Sequence, residues 1–126
     1  MTITLDLPFP PSMNSLWRKG RTGMYRSPRY MEWINAAGWE LKRQKPGKII
    51  GDYAIVVSLE RKDNRRRDCD NFIKAISDLL VLHGVIEDDS MAQSVTAMWV
   101  SDVTGCRVHL ASVASDSRSS VKRRAA

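Results

Sequence analysis

Cysteine and histidine are scarce in this chain, and that scarcity sets the first limits. Of its 126 residues only two are cysteines, Cys69 and Cys106, and two are histidines. Neither cysteine sits in a CxxC pair, so the pattern argues against a structural zinc site and against a disulfide framework. In a reducing compartment both should be free thiols. No apolar run approaches the roughly 20 residues that a membrane helix needs. The start, MTITLDLPFPP, has no basic segment followed by a long apolar one, so it does not read as a secretory signal. The expected setting is therefore intracellular, in the cytoplasm. There is no internal repeat, and the length suits one domain.

Basic charge is plentiful. The formal net charge is +6 and the isoelectric point near 9.7. Removing Lys122, Arg123 and Arg124 at the extreme C-terminus still leaves a positive balance. Such an excess favours a polyanionic partner, nucleic acid first among them.

Along the chain, TITLDL (residues 2–7) alternates Ile3, Leu5 and Leu7 on one side, as a half-buried strand does. Pro8, Pro10 and Pro11 end it, because proline cannot donate to a sheet ladder. Residues 12–27 read as a long loop with Arg18, Lys19, Arg21 and Arg26 beside Trp17 and Tyr25. Ser27-Pro28 then provides a cap and a first-turn proline for a helix running to about Lys45. Tyr30, Trp33, Ile34, Ala37 and Leu41 form its apolar stripe, and Pro46-Gly47 stops it. Trp39 lies off that stripe, so it faces either a partner subunit or a sheet edge.

YAIVVSLE (53–60) is a strand rich in β-branched residues. A basic loop, RKDNRRRD, follows, then a second helix from about Asp70 to His83, closed by Gly84. Two further strands are expected at 94–100 and 106–113, with turn chemistry between Asp102 and Gly105. The fold class is thus α/β (α+β), one domain over residues 1–112 in the order β-α-β-α-β-β. A small mixed sheet would carry two helices. Residues 113–126, rich in Ser, Ala, Arg and Lys, read as a basic disordered tail.

The chemistry concentrates in RRRDCDNFIK (65–74). At 100° per residue, Phe72, Ile73, Ile76, Leu79 and Leu80 share an apolar face, and Asp70, Lys74 and Asp78 share the opposite one. Asp68 lies in the entering chain, where a D-x-D spacing in extended backbone points both carboxylates one way. Carboxylates converging on a first helical turn suit a hard cation such as Mg2+. A second acidic group, Glu87-Asp88-Asp89, joins them only if its connection returns to the helix start. Each residue also has an ordinary use. Asp68 and Asp70 can cap a helix, Asp70–Lys74 can be a solvated pair, and Glu87–Asp89 can be a polar turn.

With these residues in view, the sequence resembles the RusA family of Holliday junction resolvases. RRRDCDNFIKAISDLLVLHGVIEDD carries the family's basic residues, its D-x-D-N, a lysine four residues on, a helix, Gly and a terminal Asp-Asp. PPSMNSLWR resembles its PPSxN segment, and the likeness runs from about residue 3 to 112. It implies a RusA-like fold and a homodimer that cuts branched DNA, four-way junctions above all, in recombination and repair. It also implies Mg2+ as cofactor, with Mn2+ as a substitute. It places the essential carboxylates and metal ligands at Asp68, Asp70 and Asp89 and the catalytic lysine at Lys74. Arg18, Lys19, Arg21, Arg65, Arg66 and Arg67 are the candidates for DNA contacts. Ser90–Gln93 is slightly longer than the family's connection, which bears on the register of the next strand. Other readings stay open: a non-catalytic nucleic-acid-binding module, a nuclease for flaps, forks or RNA, or a component of a larger complex.

Overall fold

The computed structural model describes residues 1–62 and 68–114. Arg65, Arg66 and Arg67 lie outside the described residues, as does the tail from residue 115 onward.

The elements are β1 (Thr2–Leu7), β2 (Trp17–Gly20), β3 (Gly23–Arg26), α1 (Pro28–Gln44), β4 (Tyr53–Glu60), α2 (Ile73–Leu82), β5 (Ala92–Val100) and β6 (Cys106–Ser112). Short 3-10 turns at Met13–Ser15, Cys69–Phe72 and Asp89–Met91 join them. The main sheet has the order β1-β6-β4-β5. It is mixed, as expected: β6 pairs antiparallel with both β1 and β4, while β4 and β5 are parallel. A parallel pair needs a crossover, and α2 lies in the connection from β4 to β5.

Alternation in the strands puts one face of the sheet in the core. Ile3, Leu5 and Leu7 of β1, Tyr53, Ile55, Val57 and Leu59 of β4, and Cys106, Val108 and Leu110 of β6 are buried together. They share that core with Tyr30, Trp33, Ile34, Ala37 and Leu41 of α1 and with Ala75, Ile76, Leu79 and Leu80 of α2. Both helices therefore cover the same face, and the predicted stripes are the buried ones. Ile73 alone of the predicted α2 face is only partly buried. Gly105 closes the β5–β6 turn at φ 73°, where a Cβ would stand 2.4 Å from the Leu7 carbonyl oxygen. Only glycine meets both conditions.

Two sequence expectations are corrected. The long loop over 12–27 is a turn followed by the β2–β3 hairpin, with cross-strand pairs Trp17/Arg26, Arg18/Tyr25 and Lys19/Met24. The hairpin eluded pattern reading because nearly every side chain on it is exposed, so no in–out alternation marks it. Its base is fastened by Ser27, whose N–H donates to the Leu16 carbonyl and whose hydroxyl donates to that of Ser15. The same hydroxyl accepts from the Tyr30 N–H at 3.1 Å as the cap of α1. Secondly, the strand expected at 94–100 begins at Ala92 and is irregular at its start. Tyr53 faces Ala92 but Ala54 faces Ser94, so Gln93 is a bulge residue.

Both cysteines are free thiols in the structure. Burial, with Asp6 nearby, pushes the Cys106 thiol up to about 12. Trp39 is 76% exposed on α1 and does not cover a sheet edge.

Candidate active site

The site is assembled where α2 begins and where β5 begins. Asp68 precedes the turn Cys69–Phe72 in extended backbone (φ −81°, ψ 113°), and its carbonyl accepts the Asn71 N–H at 3.2 Å. Because Cys69 and Asp70 already coil into that turn, the extended D-x-D geometry expected from spacing does not hold. Asp70 lines a cleft of about 260 Å³ with Lys74, Asp89, Tyr53, Ser77 and Met13. Asp68 is exposed and is not among the residues that line it.

What holds the turn in place is aromatic packing. Phe72 is buried, with its ring 5.2 Å from Phe9 and 5.7 Å from Trp99, both edge-on. The Lys62 ammonium lies 4.4 Å from the centre of the Phe9 ring. Cys69 is half-buried, its thiol directed at the Ala97 carbonyl of β5 at 3.4 Å. Asp70, between the packed Cys69 and Phe72, stays exposed and borders the cleft.

The three acids after α2 are sorted by their partners. Glu87 accepts the Gly51 N–H at 2.6 Å, tying the return loop to the entry of β4. Asp88 caps the turn Asp89–Met91, accepting from the Ser90 N–H at 3.2 Å and from the Ser90 hydroxyl. Those hydrogen bonds, the hydroxyl's first, hold the Asp88 carboxyl below its usual range. Asp89 is left to face α2, with Oδ2 3.4 Å from the Lys74 Nζ. The crossing on which the acidic segment depended is therefore made.

Lys74 stands between two carboxylates. Its Nζ is 3.2 Å from Asp78 Oδ1, one helical turn on, as well as 3.4 Å from Asp89 Oδ2. The hydrogen bond and charge of Asp78, then those of Asp89, raise its pKa above 10.5, so at neutral pH it is a cation. Sequence reasoning placed Asp78 on the polar face of α2 but gave it no role. Its spacing from Lys74 was the available signal. Tyr53 was read only as a strand residue. Its ring is buried under the cleft, and burial first, then Asp89 and Asp88, raise its hydroxyl's pKa.

The donor set fits a hard cation in its chemistry. Among the described residues no three His, Cys, Asp or Glu side chains are gathered tightly enough to hold a metal by themselves. Mg2+ does not require that, since it commonly takes one or two carboxylates and completes its shell with water and substrate phosphate. Asp70 and Asp89 on one cleft supply two such groups.

Arg18, Lys19 and Arg21 are exposed on and beside the hairpin. The hairpin rises from the turn Met13–Ser15, whose Met13 borders the cleft. Its base leans on α1, with the Trp17 ring 6.3 Å from Tyr30 and the Arg26 guanidinium 5.8 Å above the same ring.

The family model for the endodeoxyribonuclease RusA matches residues 8–111. A crossover junction endodeoxyribonuclease RusA from Aquifex aeolicus (strain VF5) is 37% identical over 87 residues, which is 68% of this chain and 68% of that protein. A second, from Enterobacteria phage HK97, is 29% identical over 103 residues, 81% of this chain and 86% of that protein. The match takes in the β2–β3 hairpin, both helices, the acidic cleft, β4, β5 and nearly all of β6, and leaves out β1; the chain belongs to the RusA endodeoxyribonuclease family.

Proposed function

We propose that this protein resolves four-way (Holliday) DNA junctions by metal-dependent, symmetric hydrolysis of two phosphodiester bonds. The observation that carries the reading is the return of Asp89 to Lys74, which puts two carboxylates and a cation on one cleft beside a basic hairpin. Carboxylates beside a cation suit phosphodiester hydrolysis, in which developing charge on the phosphate must be offset.

Asp70 and Asp89 would hold Mg2+, or Mn2+ in its place, with Asp68 at the approach to the cleft. When bound, the ion neutralises charge on the scissile phosphate and acidifies water. The chain's own part is positional. Lys74, held as a cation, stabilises the negative charge that develops on the phosphate oxygens. Phe72 and Cys69 fix the turn that presents Asp70. Arg18, Lys19 and Arg21 on and beside the hairpin, with Arg65–Arg67, which precede α2 in the sequence, would contact DNA phosphates. Such contacts give affinity and orientation without reading sequence. A two-stranded ribbon of this width fits a DNA groove.

Paired cuts call for two matching sites, which a two-fold homodimer supplies. Trp39, exposed on α1, is the side chain to follow. Its burial on self-association would show as quenched or shifted fluorescence on dilution.

The test is cleavage of a labelled four-way junction and of a matching linear duplex, with Mg2+ and with EDTA, alongside Asp70→Asn. Symmetric nicking of the junction alone, lost with EDTA and in Asp70→Asn, is expected. Binding without scission in every lane would replace this reading with a non-catalytic DNA-binding module.

A further inference from the structure

Asp78 lies outside the set of residues that the D-x-D-N-x-x-K element and the acidic return account for. Both of its carboxylate oxygens are nevertheless engaged. Oδ1 is 3.2 Å from the Lys74 Nζ, and Oδ2 accepts from the Tyr30 hydroxyl at 3.2 Å. An i, i+4 ion pair on a helix surface fixes little by itself, because both side chains retain their freedom. Here one partner is tethered from a second helix. Tyr30 is 1% exposed, its ring set in the core and its backbone N–H held by the Ser27 cap. Its hydroxyl is the one polar handle of a buried ring and can reach Asp78 only from α1.

We propose that Asp78, oriented by Tyr30, is a positioning residue that holds the Lys74 ammonium over the cleft. The inference rests on the role given to Lys74 above. The physical need arises from the other carboxylate. Asp89 is a candidate ligand for the divalent cation, and a carboxylate committed to that ion no longer attracts Lys74. The ion itself repels the ammonium. Asp78 then supplies the charge that keeps the lysine in the site, and Tyr30 supplies the direction. In a chain where Asp78 had only Lys74 as partner, the pair would swing together toward solvent.

The test uses the full-length protein with Asp78→Asn and Tyr30→Phe, each also placed in a Lys74→Ala background. Asp78→Asn is expected to lower the single-turnover rate on a four-way junction about 10- to 100-fold, the scale for residues that orient the ligands of a metal site. Junction affinity in EDTA should stay within about twofold, since the cation of Lys74 is kept. Tyr30→Phe should lower the rate by less, and Asp78→Glu should restore part of it. In Lys74→Ala neither substitution should slow cleavage further, because both act through the lysine. A wild-type rate in Asp78→Asn would overturn the proposal. So would an equal slowing of the Lys74→Ala protein, which is the mark of a merely structural role. A second readout needs no cleavage. The 15N relaxation of the Lys74 side chain in metal-free protein carrying Asp89→Asn, which removes the competing carboxylate, should report greater mobility when Asp78→Asn or Tyr30→Phe is added, and unchanged mobility would also overturn it. Failure of the wild-type protein to cut any junction would instead remove the resolvase reading, leaving the tether to be decided by relaxation alone.

Discussion

Phe72 stands between Asp70 and Lys74 in sequence, and an aromatic there could serve DNA or the core. In the structure it serves the core, and Phe72→Leu makes that measurable. Leucine keeps most of the apolar volume, so little cavity is opened. What is lost is the pair of edge-on ring contacts with Phe9 at 5.2 Å and Trp99 at 5.7 Å. Such contacts contribute about 0.5–1.5 kcal/mol each beyond area burial, so the loss is roughly 1–3 kcal/mol. At about 4 °C per kcal/mol for a domain of this size, Tm should fall roughly 4–12 °C. Phe72→Ala would cost about 3–5 kcal/mol, a large part of a typical domain's stability, and is less informative. Thermal denaturation followed by circular dichroism gives the first number, and junction affinity in EDTA gives the second. Affinity should be unchanged, while cleavage should slow because the turn carrying Asp70 is less well held. An unchanged Tm together with weakened junction binding would refute the reasoning. It would make Phe72 a residue that wedges into DNA.

Lys74→Ala should reduce the cleavage rate far more than junction affinity, and equal losses in both would make it a binding residue only. With its pKa raised above 10.5, the lysine's charge and the ion pairs it supports are fully present below its ordinary value and are lost only as pH rises through the raised one. The wild-type rate should therefore show no descending limb between about pH 7 and pH 9 that disappears in Lys74→Arg. Replacing Arg18, Lys19 and Arg21 together by alanine should lower the slope of log affinity against log salt by about 2.7, at about 0.9 per phosphate contact. An unchanged slope would take the hairpin off the DNA. Ser27→Ala removes the cap of α1 and the clamp at the hairpin base, and should cost about 1–2 kcal/mol in chemical denaturation. Cys106, its thiol pushed up to about 12 by burial, should resist alkylation at pH 8 in the native protein and react on unfolding, as followed by mass spectrometry.

Local physics made a good part of this protein legible from its residues alone. The Ser27-Pro28 start and the 3.6-residue stripe of α1, the alternation of β1, and the β-branched run of β4 each depend on neighbours within a turn or a pleat. So does the spacing that puts Lys74 and Asp78 on one side of α2. Other features depend on where distant segments meet, and no local pattern encodes them. The order β1-β6-β4-β5 is one. The hairpin is another, because its pairing is sustained by cross-strand bonds and by Ser27 rather than by a buried face. The turn at Cys69–Phe72 overrode the extended D-x-D geometry because Phe72 must reach Phe9 and Trp99. At the site itself, residue spacing named Asp68, Asp70, Lys74 and an acidic return, and only the family resemblance singled out Asp89 from Glu87 and Asp88. Tertiary structure made the same choice by spending Glu87 on Gly51 and Asp88 on Ser90, which left Asp89 for a lysine 15 residues away. The bond from Tyr30 to Asp78 spans 48 residues. Contacts of that reach exist only once the core has brought α1 and α2 onto the same face of the sheet.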